Sequence, residues 1–209
     1  MRSPILLSLF ILLAGVTPAS AAEYDRPPGS VFAAFNLGVG WAKASVDEDR
    51  GNVAETDAQV GPMWGFRVGT ALTEILALSV DYIGYASVTD QPAEFERIES
   101  EFWVIGPSLS WYPFEGGFFL KGLAGWGGVD FRIDVDADTR VRANEKGLGL
   151  LAGIGFEIPV NTLLSLGAEV DYLWMNVGEV EVADGTGGTT PADFGFYSLG
   201  FNAFVILNY

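Results

Sequence analysis

From residue 31 to its last residue, the chain alternates large apolar side chains with small or polar ones at a period of two. That is the period of an extended strand whose two faces meet different surroundings. Polar segments divide the alternation into eight stretches, at about 31–46, 59–71, 75–89, 99–112, 118–131, 147–158, 163–177 and 194–209. In the first, Val31, Ala33, Phe35, Leu37, Val39 and Trp41 share one face, and Ala34, Asn36, Gly38, Gly40 and Ala42 share the other. The sixth is the most regular. It sets Leu148, Leu150, Ala152, Ile154, Phe156 and Ile158 against Gly147, Gly149, Leu151, Gly153, Gly155 and Glu157. Across the eight stretches the apolar face also holds Trp64, Tyr82, Trp103, Trp111, Trp126, Tyr172 and Trp174. The small-residue face also holds Arg67, Asp81, Lys121, Glu169 and Asp171.

A soluble sandwich or a lipocalin-like binder would turn these rows of Leu, Phe and Trp to water, a large exposed apolar surface. A bilayer accepts them. Hydrocarbon offers no water to backbone groups, so only helices and closed barrels cross it. The longest uncharged stretch beyond the N-terminal region, 194–209, is 16 residues long and broken by glycine and asparagine. A spanning helix needs roughly 20. The expected fold is therefore all-β, an eight-stranded antiparallel transmembrane β-barrel with an up-and-down meander. Its strand number is even, and about 9–11 tilted residues suffice for each crossing. The connections alternate in length. Those at 72–74, 113–117 and 159–162 are short, whereas those at 46–58, 89–101, 130–146 and 178–193 are long and hold 19 of the 27 acidic residues. Spanning barrels show this asymmetry, with the long loops outside the cell and the short turns in the periplasm.

The N-terminal region reads differently. Met1-Arg2-Ser3-Pro4 precedes a 12-residue apolar run from Ile5 to Val16, and Thr17-Pro18-Ala19-Ser20-Ala21-Ala22 follows. A charged start, a short apolar core and small residues at a cleavage point make 1–22 a secretory signal peptide. Residues 23–29, with Pro27-Pro28-Gly29, form a short periplasmic lead-in, and 30–209 form the barrel. Removing residues 1–22 takes away one Arg and no acid, so the net charge of −16 becomes −17. Such an acidic surface repels nucleic acid. The chain has neither Cys nor His, which removes thiol chemistry and the commonest general base.

The last nine residues, Phe201-Asn202-Ala203-Phe204-Val205-Ile206-Leu207-Asn208-Tyr209, end in an aromatic side chain preceded by apolar residues at every second position. This resembles the C-terminal signal that hands bacterial outer-membrane proteins to the barrel-assembly machinery, with Phe201, Val205, Leu207 and Tyr209 as its residues. Together with the glycine-rich strands around 122–127 and 149–156, it makes the chain similar to the small eight-stranded outer-membrane barrels of the OmpA, OmpX and OmpW types. The resemblance implies the outer membrane of a Gram-negative cell as location. It implies the lipid bilayer, lipopolysaccharide and the assembly machinery as partners. It says little about function, because such barrels serve as structural proteins, adhesins, channels and enzymes.

Three constellations bear on function. Arg67, Asp81, Lys121, Glu157, Glu169 and Asp171 form a charge network in the lumen, two cations against four acids. An eight-stranded barrel is only just wide enough for side chains to fill it, so such a network plugs the lumen or lines a narrow polar path. Asp134, Asp136, Asp138 and Glu145 imitate the acid spacing of a calcium loop. Thr139 stands where that loop needs Gly, however, and Arg140 and Arg142 fall inside it. An extended hairpin with acids facing arginines is the better reading, and the acidic loops remain candidates for diffuse divalent-cation binding. Trp41, Trp103, Trp111, Trp126 and Trp174 read as membrane-interface aromatics. A Ser–Lys dyad could be drawn from Lys121 with Ser79, Ser108 or Ser165, but ordinary lumen polarity accounts for all four. No catalytic residue, cofactor or dedicated metal is assigned, and the protein is expected not to be an enzyme. The expected function is a structural or surface-interaction role with a largely plugged lumen. A narrow porin-like channel for small or hydrophobic solutes is the alternative. N-terminal sequencing of the mature protein should begin at Ala22 or Glu23; an intact Met1 in the membrane fraction would refute the signal peptide.

Overall fold

The structure, a computed structural model, describes residues 27–47, 53–55, 58–91, 95–134, 140–183 and 189–209. The expected signal peptide and most of the expected lead-in fall outside these. Nine strands follow in order: β1 (Val31–Asp47), β2 (Val53–Glu55), β3 (Gln59–Thr73), β4 (Leu76–Gln91), β5 (Phe95–Trp111), β6 (Phe118–Asp134), β7 (Arg140–Pro159), β8 (Leu164–Ala183) and β9 (Thr189–Asn208). The three-residue β2 pairs only with the tip of β1, from Ser45 to Asp47. The other eight pair antiparallel in sequence, and β9 returns to β1 from Phe32↔Asn208 to Asp47↔Asp193. The sheet thus closes into an eight-stranded meander barrel without an open seam between its first and last strands.

Strand register sets the width of the barrel. Phe35 lies opposite Phe66, then Tyr82, Ile105, Trp126, Leu148, Asn176 and Gly195 in turn. Gly195 lies opposite Ser45, so one circuit returns to β1 ten residues beyond its start. A stagger of this size tilts the strands, and with eight of them it leaves an interior that side chains can fill.

The alternation predicted from sequence maps onto two faces. Phe35, Leu37, Phe66, Val80, Leu148 and Phe201 are exposed on the outside, while Met63, Tyr85, Phe102, Leu173 and Met175 are buried in the lumen. Trp41, Trp103, Trp126 and Trp174 face outward toward the long-connection end. Trp111, the last residue of β5, stands at the short-turn end. Trp41 meets the ring of Phe201 edge-on at 5.5 Å.

The strands run further than the hydrophobic pattern indicates. Strands β7, β8 and β9 are each 20 residues long. The β6–β7 ladder continues to Asp134↔Arg140, and the β8–β9 ladder continues to Ala183↔Thr189. Much of what reads as acidic loop is therefore paired ribbon. Charges interrupt the apolar alternation there because both faces of the ribbon lie beyond the hydrocarbon, where neither needs to be apolar. In the same ladder Glu145, the last acid of the calcium-loop spacing, lies opposite Val129, well down the return strand. Asp136 and Asp138 lie outside the described residues.

Short turns are closed by local chemistry. Asn161 Oδ1 accepts from the amides of Leu163 and Leu164 at 2.8 and 2.9 Å. Gly116 and Gly117 carry φ of 106° and 88°, a left-handed backbone that glycine adopts without a Cβ penalty. A Cβ on Gly117 would also meet the backbone oxygen of Glu157. Gly117→Ala is accordingly expected to cost about 1–3 kcal/mol, read as a lower urea midpoint for the refolded barrel. An unchanged midpoint would show that the turn relaxes freely.

Candidate functional site in the barrel lumen

The lumen is layered. Nearest the short turns, Phe32, Tyr112, Phe119, Phe204 and Ile206 form an apolar cluster with Ala34 and Ala77. Phe119 contacts Tyr112 and Phe204 with ring centroids 5.5 and 5.9 Å apart. Toward the long connections a second cluster contains Met63, Tyr85, Phe102, Leu173, Met175 and Phe196. Tyr85 stacks on Phe102 at 4.7 Å, and Phe102 meets Phe196 at 4.3 Å. Above this cluster the Tyr85 hydroxyl donates to the Gln59 carbonyl at 2.9 Å. The hydroxyls of Ser87 and Ser100 both donate to Gln59 Oε1.

Between the two clusters lies a polar layer built from six strands. Arg67 Nε donates to Asp81 Oδ2 at 2.9 Å, and its Nη2 reaches Glu169 Oε2 at 3.0 Å. Lys121 Nζ donates to Glu169 Oε1 at 3.0 Å and sits 3.1 Å from Asp171 Oδ1. The charges therefore alternate along one chain: Asp81, Arg67, Glu169, Lys121, Asp171. Each cation lies between two carboxylates, the arrangement that offsets the cost of removing charge from water. Neutral groups donate to two of the three carboxylates. Ser79 and Ser108 hydroxyls donate to Asp81 Oδ1 at 2.6 and 2.8 Å, and Asn202 Nδ2 donates to Asp171 Oδ2 at 3.1 Å. Among the described residues Asn202 Oδ1 has no hydrogen-bond partner, and Asp171 Oδ1 meets Lys121 only as an ion pair.

The backbone makes room for this layer. Gly153 lies opposite both Lys121 and Asp171, and a Cβ there would collide with Asp171 Oδ1. Period-two alternation explains the rest. Asp81 and Ser79, and likewise Glu169 and Asp171, are two residues apart and so point into the same lumen.

Of the six charges expected in the lumen, all are at most 7% exposed. Five join the chain described above. Glu157 lies nearer the short turns, opposite Gly167, where the Tyr112 hydroxyl donates to it at 3.2 Å. Asn202, Ser79 and Ser108 belong to the layer as well, and Phe102, Phe196, Phe119 and Phe204 pack in the clusters on either side of it. Each of these occupies an inward position of its strand. Their cross-lumen partners, however, come from distant parts of the chain. The Ser–Lys dyad does not form: Lys121 bonds two carboxylates, Ser79 and Ser108 bond Asp81, and Ser165 accepts from Asn208 Nδ2 at 3.3 Å. Phe201, Val205 and Leu207 point outward on β9, and Tyr209, just past its end, is exposed.

The family model for the outer membrane protein beta-barrel domain matches residues 8–203. The chain belongs to this family. Membership makes it an outer-membrane β-barrel. Among solved structures the barrel is similar to Ail, the attachment invasion locus protein of Yersinia pestis, with 12% identity, 85% of this chain and 99% of that chain covered, and a TM-score of 0.49. OprG of Pseudomonas aeruginosa matches with 12% identity over 87% of this chain and 98% of that one, at a TM-score of 0.47. Neisserial surface protein A matches with 17% identity over 84% and 99%, at 0.45. No curated protein matches.

Removing one cation from this layer should expose how much it holds together. Lys121→Met leaves Glu169 and Asp171 side by side without their shared partner, a loss of about 3–5 kcal/mol for a broken buried pair. Glu157→Gln, outside the chain of charges, should lower the urea midpoint less. Equal midpoints for the two variants would contradict the layer's separate standing.

Proposed function

We propose that this protein is a structural or surface-interaction protein of the Gram-negative outer membrane, without catalytic activity, whose lumen is closed. The observation that carries the reading is the stack of three lumen layers: a salt-bridged polar layer enclosed on both sides by packed aromatic side chains. Water can follow a line of charges only if the layers above and below leave it a path. Here Phe102 and Phe196 fill one side, and Phe119 and Phe204 fill the other. The absence of a Ser–Lys pair and of histidine supports a role without catalysis.

The surface role rests on charge. The long connections, with 19 of the 27 acids, present a strongly negative outer face. That charge suits contact with lipopolysaccharide through bridging divalent cations, and it repels polyanions.

Planar-bilayer recording tests closure. The purified wild-type barrel should give no reproducible single-channel steps at moderate voltage. Steps that appear in the wild type and change size in Arg67→Ala or Lys121→Ala would overturn the closed lumen and establish the narrow channel instead.

A further inference from the structure

The outward wall of the barrel is not uniform. A recess of about 620 Å³ interrupts it across β4, β5, β6, β7 and β8. Its floor follows the strand register. Leu109 lies opposite Gly122, Gly122 opposite Ala152, and Ala152 opposite Tyr172. In the neighbouring row Ala124 lies opposite Leu150, which lies opposite Trp174. The small residues Gly122, Ala124 and Ala152 thus sit between the large ones and leave a hollow. Pro107 lies beside them. It has no N–H to donate, and the β5–β6 ladder breaks between the pairs Ile105↔Trp126 and Ser108↔Leu123.

The setting indicates what fills the hollow. It lies on the lipid-facing surface at the depth of the lumen polar layer, since Ser108 belongs to both. Its lining side chains are apolar apart from Ser108, which is turned to Asp81, the Trp174 indole N–H, and the Tyr172 hydroxyl, which has no hydrogen bond among the described residues. One end is made by Tyr172 and Trp174, and Trp174 belongs to the aromatic belt at the long-connection end. The other end is made by Leu78 and Leu109, and Leu109 stops two residues short of Trp111.

We propose that this recess binds one acyl chain of an outer-leaflet lipid, with its ester end at Tyr172 and Trp174 and its tail at Leu78 and Leu109. The chain packs into the space that Gly122, Ala124 and Ala152 leave open, and the Tyr172 hydroxyl donates to its ester carbonyl. This goes beyond the closed-lumen reading and holds whether or not the lumen conducts.

The test uses the mature protein refolded into vesicles that contain phosphatidylcholine with a photoactivatable diazirine, placed near the carbonyl in one lipid and near the chain end in another. Adducts are mapped by mass spectrometry. The carbonyl-end probe should mark Tyr172 and Trp174, and the tail-end probe should mark Leu78 and Leu109. Phe35 and Phe66, outward on β1 and β3, report general lipid contact. Ala124→Phe fills the floor and should lower labelling of the recess by about tenfold, the scale of overpacking a filled site, while Phe35 and Phe66 keep theirs. Gly122→Leu provides a second filling variant, and heat-modifiable migration in detergent gels verifies that each is folded. Labelling that is even around the circumference, or that neither variant changes, would overturn the site. A reversed order of the two probes would overturn the outer-leaflet assignment.

Discussion

Every backbone N–H and C=O at the depth of the hydrocarbon must find its partner within the protein, because lipid offers none. The pairing of β9 with β1, from Phe32↔Asn208 to Asp47↔Asp193, meets this demand at the one place where a sheet would otherwise end. Much else follows from that closure. It fixes the eight-strand circuit and, with the ten-residue stagger, the width of the interior. It turns one face of each strand to lipid and the other to a space too narrow to remain empty.

The interior is filled in a definite order. A single layer of charges, alternating in sign from Asp81 to Asp171, lies between two aromatic clusters. Each cation is shared between two carboxylates, and the hydroxyls of Ser79 and Ser108 and the amide of Asn202 occupy further acceptor positions. A charge network buried this deeply contributes little net stability if replaced whole by apolar groups, yet removing one member leaves the others unpaired. Its effect is to tie β3, β4, β5, β6, β8 and β9 into one registered assembly.

Proline shows how the constraint is met locally. Pairing of β3 with β4 ends at Met63↔Tyr85, one residue before Pro62. Pro107, by contrast, stands in the middle of β5, and the ladder to β6 resumes on its far side. Glycine and aromatic side chains complement each other on the outer wall in a similar way: the indole of Trp64 covers Gly84, and that of Trp103 covers Gly128.

Much of this was legible before any tertiary contact was known. Period two assigns each of Arg67, Asp81, Lys121, Glu157, Glu169 and Asp171 to the inner face, because alternation is a property of the strand alone. The same holds for the outward rows and for Trp41, Trp103, Trp126 and Trp174. Strand ends were less legible. The pattern stops where the hydrocarbon stops, whereas the ladders of β6–β7 and β8–β9 run on to Asp134↔Arg140 and Ala183↔Thr189. By itself, then, the sequence determined the strand count, the two faces and the membrane, since these depend on spacing between near neighbours. Which charge meets which was decided only by closure and stagger. Arg67 and Glu169 are 102 residues apart, and only the curvature of the finished barrel brings them to 3.0 Å. The recess beside Pro107 has the same origin, because its lining residues become neighbours only through the register of five strands.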